Sequence, residues 1–135
     1  MEFEVEIDTG SSPMVEMNVL RSPDREEFTR IAFYRGRGFH GTSLLSVDTS
    51  FASTAPDVQS RAPETAPLAP EEDETLKLRV FVDRSVVEVF ANGRQCVALR
   101  VYPERSDSTG VSFRSQGVDS RVRSLRAYKM KSIWV

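Results

Sequence analysis

Residues Leu76 to Pro103 read L-K-L-R-V-F-V-D-R-S-V-V-E-V-F-A-N-G-R-Q-C-V-A-L-R-V-Y-P. Three runs rich in Val, Phe and Leu are separated by Asp83-Arg84-Ser85 and by Asn92-Gly93, the pattern of an antiparallel β-meander with two tight turns. The rest of the chain reads as strands added to this meander.

Alternation along the strands divides the residues by face. If Arg84 and Ser85 form a two-residue loop, Val82 faces Val87, Val80 faces Val89 and Phe81 faces Glu88. Leu76, Leu78, Val80, Val82, Val87 and Val89 then make one apolar face. The opposite face carries Lys77, Arg79, Phe81, Asp83, Glu88 and Phe90, charges mixed with two rings, and is expected to meet water, another sheet's polar edge or a partner. The second turn sets the register of the third strand. A strict two-residue Asn92-Gly93 turn would place Cys96, Ala98 and Arg100 on the core face. A three-residue loop, with Gly93 left-handed as a bulge, places Val97, Leu99 and Val101 there instead. The bulge is favoured, because the alternative buries a guanidinium in place of large aliphatic side chains.

The run V-F-V-D-R-S-V-V-E-V-F-A-N-G-R, followed by L-R-V-Y-P, resembles the C-terminal β-sandwich module of glycoside hydrolase family 32, the invertases, inulinases and levanases. The resemblance extends more loosely to Ser46-Val47-Asp48-Thr49-Ser50 and to Gly110-Val111-Ser112-Phe113, so it spans most of the chain. It implies a sandwich that packs against a five-bladed β-propeller carrying all the catalytic residues. That propeller would need more than twice the length of this chain. The family's catalytic carboxylates lie in an N-D-P-N-like motif, an R-D-P motif and an E-C motif. None occurs here: Pro23-Asp24-Arg25 is in the wrong order, and Gln95 precedes Cys96. A retaining fructosidase needs two carboxyl groups roughly 5 Å apart, so no activity is expected from this chain alone.

Composition narrows the alternatives. A chain of 135 residues suits one domain with a proper core. Lys plus Arg total 18 against 20 Asp plus Glu, a net charge of −2, which offers no broad attraction for nucleic acid. Cys96 is the only cysteine, which leaves no disulfide framework and no thiolate metal cluster; it is expected to be a small buried or partly buried hydrophobe. Met1-Glu2-Phe3-Glu4 has no signal-peptide character, and no run approaches the length of a membrane span. The chain reads as soluble, and its compartment is left open.

Taken in order, Met1 to Ile7 alternates as a half-buried strand, with Phe3, Val5 and Ile7 on one side. Strands follow at Met14 to Leu20, Phe28 to Tyr34 and Thr42 to Val47. Residues 49–75 lose the pattern: Pro56, Pro63, Pro67 and Pro70 lead into Glu71-Glu72-Asp73-Glu74. This long Pro-rich loop is expected to drape across a surface with Leu68 as its apolar anchor. Gly110 to Arg114 and Arg121 to Met130 read as the last strands. The basic residues Arg121, Arg123, Arg126, Lys129 and Lys131 lack the caps and full stripe of a helix. About nine short strands without a helix predict one all-β domain over residues 1–135, an antiparallel two-sheet sandwich of the concanavalin or lectin-like jelly-roll kind.

Several residues could carry chemistry. Ile7-Asp8-Thr9-Gly10-Ser11-Ser12 resembles the nucleophilic loop of aspartic proteases, and a homodimer would supply the two carboxylates such an enzyme needs. A polar turn is the favoured reading, since the loop follows a single strand and Pro13 interrupts its continuation. Asp83 and Glu88 could accept hydrogen bonds from sugar hydroxyls. The favoured alternative makes Asp83 a turn residue and pairs Glu88 with Arg79 or Arg100. Phe81 and Phe90 could stack on a sugar, but covering by a second sheet or by the propeller is favoured. Tyr34, Phe39, Phe51 and Trp134 would form a stacking platform only if they cluster. His40 is the only histidine, and no metal or cofactor is expected.

The sequence therefore points to a non-catalytic accessory sandwich. Arg79, Phe81, Asp83, Glu88, Phe90 and Asn92 are its candidate carbohydrate or domain-contact residues. Its expected partners are a propeller catalytic domain, fructans or sucrose-derived oligosaccharides, and possible further copies of the chain; nucleic acid and membrane are not expected. A free-standing carbohydrate-binding module is the alternative, and an aspartic protease through Asp8 the remote one.

Overall fold

The computed structural model describes residues 1–58, 61–70, 74–83 and 85–129. Among the described residues, ten strands form two antiparallel five-stranded sheets, β1 Glu2–Asp8, β2 Met14–Arg21, β3 Thr29–Tyr34, β4 Leu44–Asp48, β5 Glu64–Pro67, β6 Leu76–Asp83, β7 Val86–Ala91, β8 Gln95–Arg100, β9 Gly110–Gln116 and β10 Arg121–Tyr128. The first sheet has the order β10-β1-β6-β7-β8 and the second β5-β4-β3-β2-β9. A 3-10 turn at Phe39–Gly41 lies between β3 and β4.

The core lies between the sheets and follows the period of two. Phe3, Val5 and Ile7 of β1 are buried beside Leu76, Leu78 and Val80 of β6 and Val87 and Val89 of β7. The facing sheet contributes Val15, Met17 and Val19, Ile31 and Phe33, and Leu45 and Val47. Full burial of each such side chain is worth about 1.5–3 kcal/mol, so the alternating pattern is sufficient to choose the inner face of each strand.

The meander pairs as its residues require. Val82 lies opposite Val87, Val80 opposite Val89 and Phe81 opposite Glu88. At the second turn Ala91 pairs with Gln95, so Asn92, Gly93 and Arg94 form a three-residue loop. Asn92 and Gly93 are both left-handed, with φ of 52° and 65°. The Arg94 N–H closes the turn on the Ala91 carbonyl at 3.0 Å. This shift brings Val97 opposite Val89 and Leu99 opposite Val87, and leaves Arg100 in solvent. The same shift exposes Cys96, against the expectation of burial: one residue of register moves it to the Phe90 side of the sheet.

The Pro-rich stretch is less structureless than its sequence suggests. Residues Glu64–Pro67 form β5, which pairs with β4 from Val47↔Glu64 to Leu44↔Pro67. This four-residue edge strand has no alternation to betray it, and its proline sits where a missing N–H is tolerated. Leu68, only 1% exposed, anchors the segment in the core; its N–H reaches the Ser43 carbonyl at 2.8 Å. The last strand ends at Tyr128; Lys129, expected in the strand, lies beyond its end, and Met130 is outside the described residues.

The Asp8-Thr9-Gly10 stretch is a turn between β1 and β2. Asp8 Oδ1 accepts the Gly10 N–H at 3.1 Å. Arg35 donates to Thr9 Oγ1 at 2.7 Å and to the Gly10 carbonyl at 2.8 Å. The carboxylate thus stabilises its own loop.

Candidate functional site

The outer face of the first sheet gathers most of the residues singled out from sequence. Glu2, Glu4 and Glu6 of β1 lie beside Phe81, Arg79 and Lys77 of β6, and Phe81 and Arg79 lie beside Glu88 and Phe90 of β7. Neither ring is covered by the second sheet, which packs on the opposite face; Phe90 is 36% exposed. Phe81 and Phe90 meet edge to face, with centroids 5.8 Å apart and planes at 86°. The Arg79 guanidinium sits 5.1 Å from the Phe81 ring centroid, a cation–π arrangement. A shallow depression of about 670 Å³ opens here, bounded by Arg79, Phe81, Phe90, Glu4 and Arg126.

Part of the charge on this face is paired. Arg79 Nε contacts Glu2 Oε1 at 2.7 Å and Glu4 at 3.9 Å. The hydrogen bond to Glu2 and its negative charge hold the Arg79 guanidinium above its ordinary pKa. The expected pairing of Glu88 with Arg79 or Arg100 is not formed. Arg79 turns to β1, a strand whose position beside β6 the local sequence could not reveal. Among the described residues, neither Glu88 nor Asp83 has an ion-pair or side-chain hydrogen-bond partner. Asp83 lies at one end of the β6–β7 hairpin, opposite Val86.

Asn92 lies at the other end, where it acts as a clamp. Its Oδ1 accepts the Lys77 N–H at 2.7 Å, and its Nδ2 donates to Glu74 Oε1 and to the Thr75 carbonyl, each at 2.9 Å. Its side chain is thus occupied in joining the start of β6 to the second turn. The four-aromatic platform does not assemble. Tyr34 ends β3, whereas Phe51 stacks on Phe28 just before that strand begins, with centroids 5.3 Å apart. Six strand residues separate the two ends by roughly 20 Å. Trp134 and the Phe39 side chain lie outside the described residues. His40 sits in the 3-10 turn with φ of 58°.

Two buried carboxylates escaped the reading of the sequence. Glu27, fully buried before β3, accepts hydrogen bonds from Ser108 Oγ at 2.7 Å, from the N–H groups of Thr54 and Glu104 at 2.8 Å each, and from that of Arg105 at 3.1 Å. Burial alone would raise its pKa, but the donors from Ser108, Glu104, Thr54 and Arg105 together outweigh it and bring the group down to about 2. Beside it, Arg105 hydrogen-bonds Asp107 and Asp24, which raises its own pKa and lowers theirs. Glu16, fully buried on the outer side of β2, faces Arg30 at 2.7 Å, Arg114 at 3.6 Å and Arg25 at 3.9 Å. A Glu-Glu pair in a charged turn was the only signal for Glu27, and it does not separate a buried glutamate from an exposed one.

Two packed antiparallel sheets, with one outer face laced with charges and rings, define a β-sandwich module of the lectin-like kind. The chain belongs to the family described as glycosyl hydrolases family 32 C terminal, whose model matches residues 1–129. It is 31% identical over 136 residues to the levanase of Bacillus subtilis, covering 98% of this chain and 19% of that protein. It is 34% identical over 125 residues to the acid beta-fructofuranosidase of Vicia faba, covering 87% of this chain and 19% of that protein. Fructan 1-exohydrolase IIa from Cichorium intybus superposes with a TM-score of 0.77 at 14% identity, over 92% of this chain and 29% of that one; this likeness is one of fold. The chain thus spans about a fifth of the length of the curated relatives it matches.

Proposed function

We propose that this chain is the non-catalytic accessory sandwich of a fructan- or sucrose-hydrolysing glycosidase, stabilising a five-bladed propeller that holds the catalytic carboxylates. The observation that carries this reading is the family match over residues 1–129 against relatives about five times as long. The outer face of the first sheet is the contact surface in this reading. Phe90 and Tyr128 are 36% and 42% exposed there, Phe81 lies between Arg79 and Phe90, and Asp83 and Glu88 remain available for a partner's donors. Exposed rings beside an arginine suit an interface better than open solvent, because aromatic residues and Arg are enriched there.

The test is capture of a separately expressed propeller portion of a family 32 levanase by the purified chain. The expected result is a stable complex that raises the melting temperature of the propeller, with Phe81→Ala or Phe90→Ala weakening capture about tenfold or more. Absence of any complex, together with a chain that stays monomeric at high concentration and binds no hydrophobic dye, would overturn the reading.

A further inference from the structure

A second groove lies at the opposite edge of the sandwich from β10. It runs between the segment after β4 and the outer strand β8, with a volume of about 570 Å³, inside the ~300–1,000 Å³ range of small-molecule sites. Its apolar lining comes from Val47, Ala52, Leu99 and Val101. Asp57, Arg61, Glu64 and Arg100 also line it, two carboxylates against two guanidiniums with no net charge. Tyr102 borders the groove with half of its surface, 51%, in solvent.

The four charged groups of this groove are uncommitted. Several arginines elsewhere are engaged, Arg79 with Glu2, Arg94 with Glu74, and Arg105 with Asp24 and Asp107. Among the described residues, Asp57, Arg61, Glu64 and Arg100 enter no ion pair within 4.0 Å and no side-chain hydrogen bond. A groove whose charged side chains are unspent, set over an apolar lining, can exchange hydrogen bonds with a ligand without first breaking an ion pair of its own.

We propose that this groove is a binding site for a short, neutral, hydroxyl-rich oligosaccharide. The carboxylates accept from hydroxyl groups, the guanidiniums donate to hydroxyl and ring oxygens, and the Tyr102 ring packs against the C–H face of a sugar. Charge balance selects against anionic ligands, which would meet Asp57 and Glu64, and against cationic ones, which would meet Arg61 and Arg100. The site is separate from the first-sheet face assigned to domain contact, and it does not depend on that assignment.

Calorimetric titration of the full chain decides the matter, with levan-type and inulin-type fructo-oligosaccharides as probes and malto- and xylo-oligosaccharides beside them. Saturable binding of at least one is expected. Tyr102→Ala should weaken it about tenfold or more, and Asp57→Asn with Glu64→Gln should do the same. Phe81→Ala, on the other sheet face, should leave binding unchanged. Tyr102 is exposed, so its variant is expected to keep the parent melting temperature; Arg100→Ala provides a second readout should it not. Failure of every probe to saturate, or binding that survives Tyr102→Ala and is lost in Phe81→Ala, overturns the proposal. A failed propeller capture with intact sugar binding would count against the accessory role alone.

Discussion

Glu16 and Glu27 are both fully buried, yet their negative charge is compensated in different ways. Glu27 is held by backbone N–H groups and hydroxyls from two distant loops, donors fixed by the path of the chain. Glu16 is held by guanidiniums on long side chains that are 22% to 53% exposed, and neither of its oxygens has a hydrogen-bond partner of good geometry. Fixed dipoles lose no side-chain entropy on forming and are shielded from salt, whereas flexible arginines lose entropy and are screened at their exposed ends. Glu27 is therefore a fastener that ties residues 54 and 104–108 to the turn before β3, and Glu16 is a counter-ion around which three arginines arrange.

Substitutions can break this contrast, and the largest effect is expected at Glu27. Glu27→Ala leaves several buried donors without a partner and should cost about 3 kcal/mol or more, read as a lower urea midpoint with an unchanged slope. An equally stable variant would show that solvent replaces the carboxylate at no cost. Next comes Arg30→Ala, which strips the closest cation from buried Glu16 and should cost about 2–3 kcal/mol. Arg114→Ala, 3.6 Å away and half exposed, should cost less than about 1 kcal/mol. Equal losses at Arg30 and Arg114 would mean that total charge near Glu16 matters rather than one close contact.

Acid sharpens the same comparison. The pKa of Glu27 in the folded chain, about 2, lies below its ordinary value of 4.5. Its contribution to stability is therefore present in full above the ordinary value and is lost as pH falls from 4.5 towards about 2. The stability gap between the parent chain and Glu27→Gln should be widest near neutral pH and should shrink over that window. A gap that stays constant down to pH 2 would assign the effect of the substitution to packing instead of charge. The smallest expected effect is that of salt on Arg79→Ala. The pair with Glu2 is solvent-exposed, and its loss should lower the melting temperature slightly at low salt and not at all at high ionic strength.

The local pattern of this chain was enough to divide each meander strand into two faces, because a period of two and the size of Val, Leu and Phe admit one inner set. It also settled the turn at Asn92-Gly93, since any other register would bury Arg100. By the same alternation it placed Arg79, Phe81, Glu88 and Phe90 on one face. What those residues touch was decided elsewhere: Arg79 meets Glu2 only because β1 pairs with β6 across some seventy residues of sequence. Strand β5 went unread because an edge strand of four residues carries no alternation, and Cys96 was misplaced because its exposure follows from the turn rather than from its own chemistry. Glu27, Glu16 and the groove beside Tyr102 exist only in the folded chain. Each is assembled from segments that the sequence keeps far apart, and hydrogen bonds and ion pairs of that range have no periodic signature; the tertiary structure alone could place them.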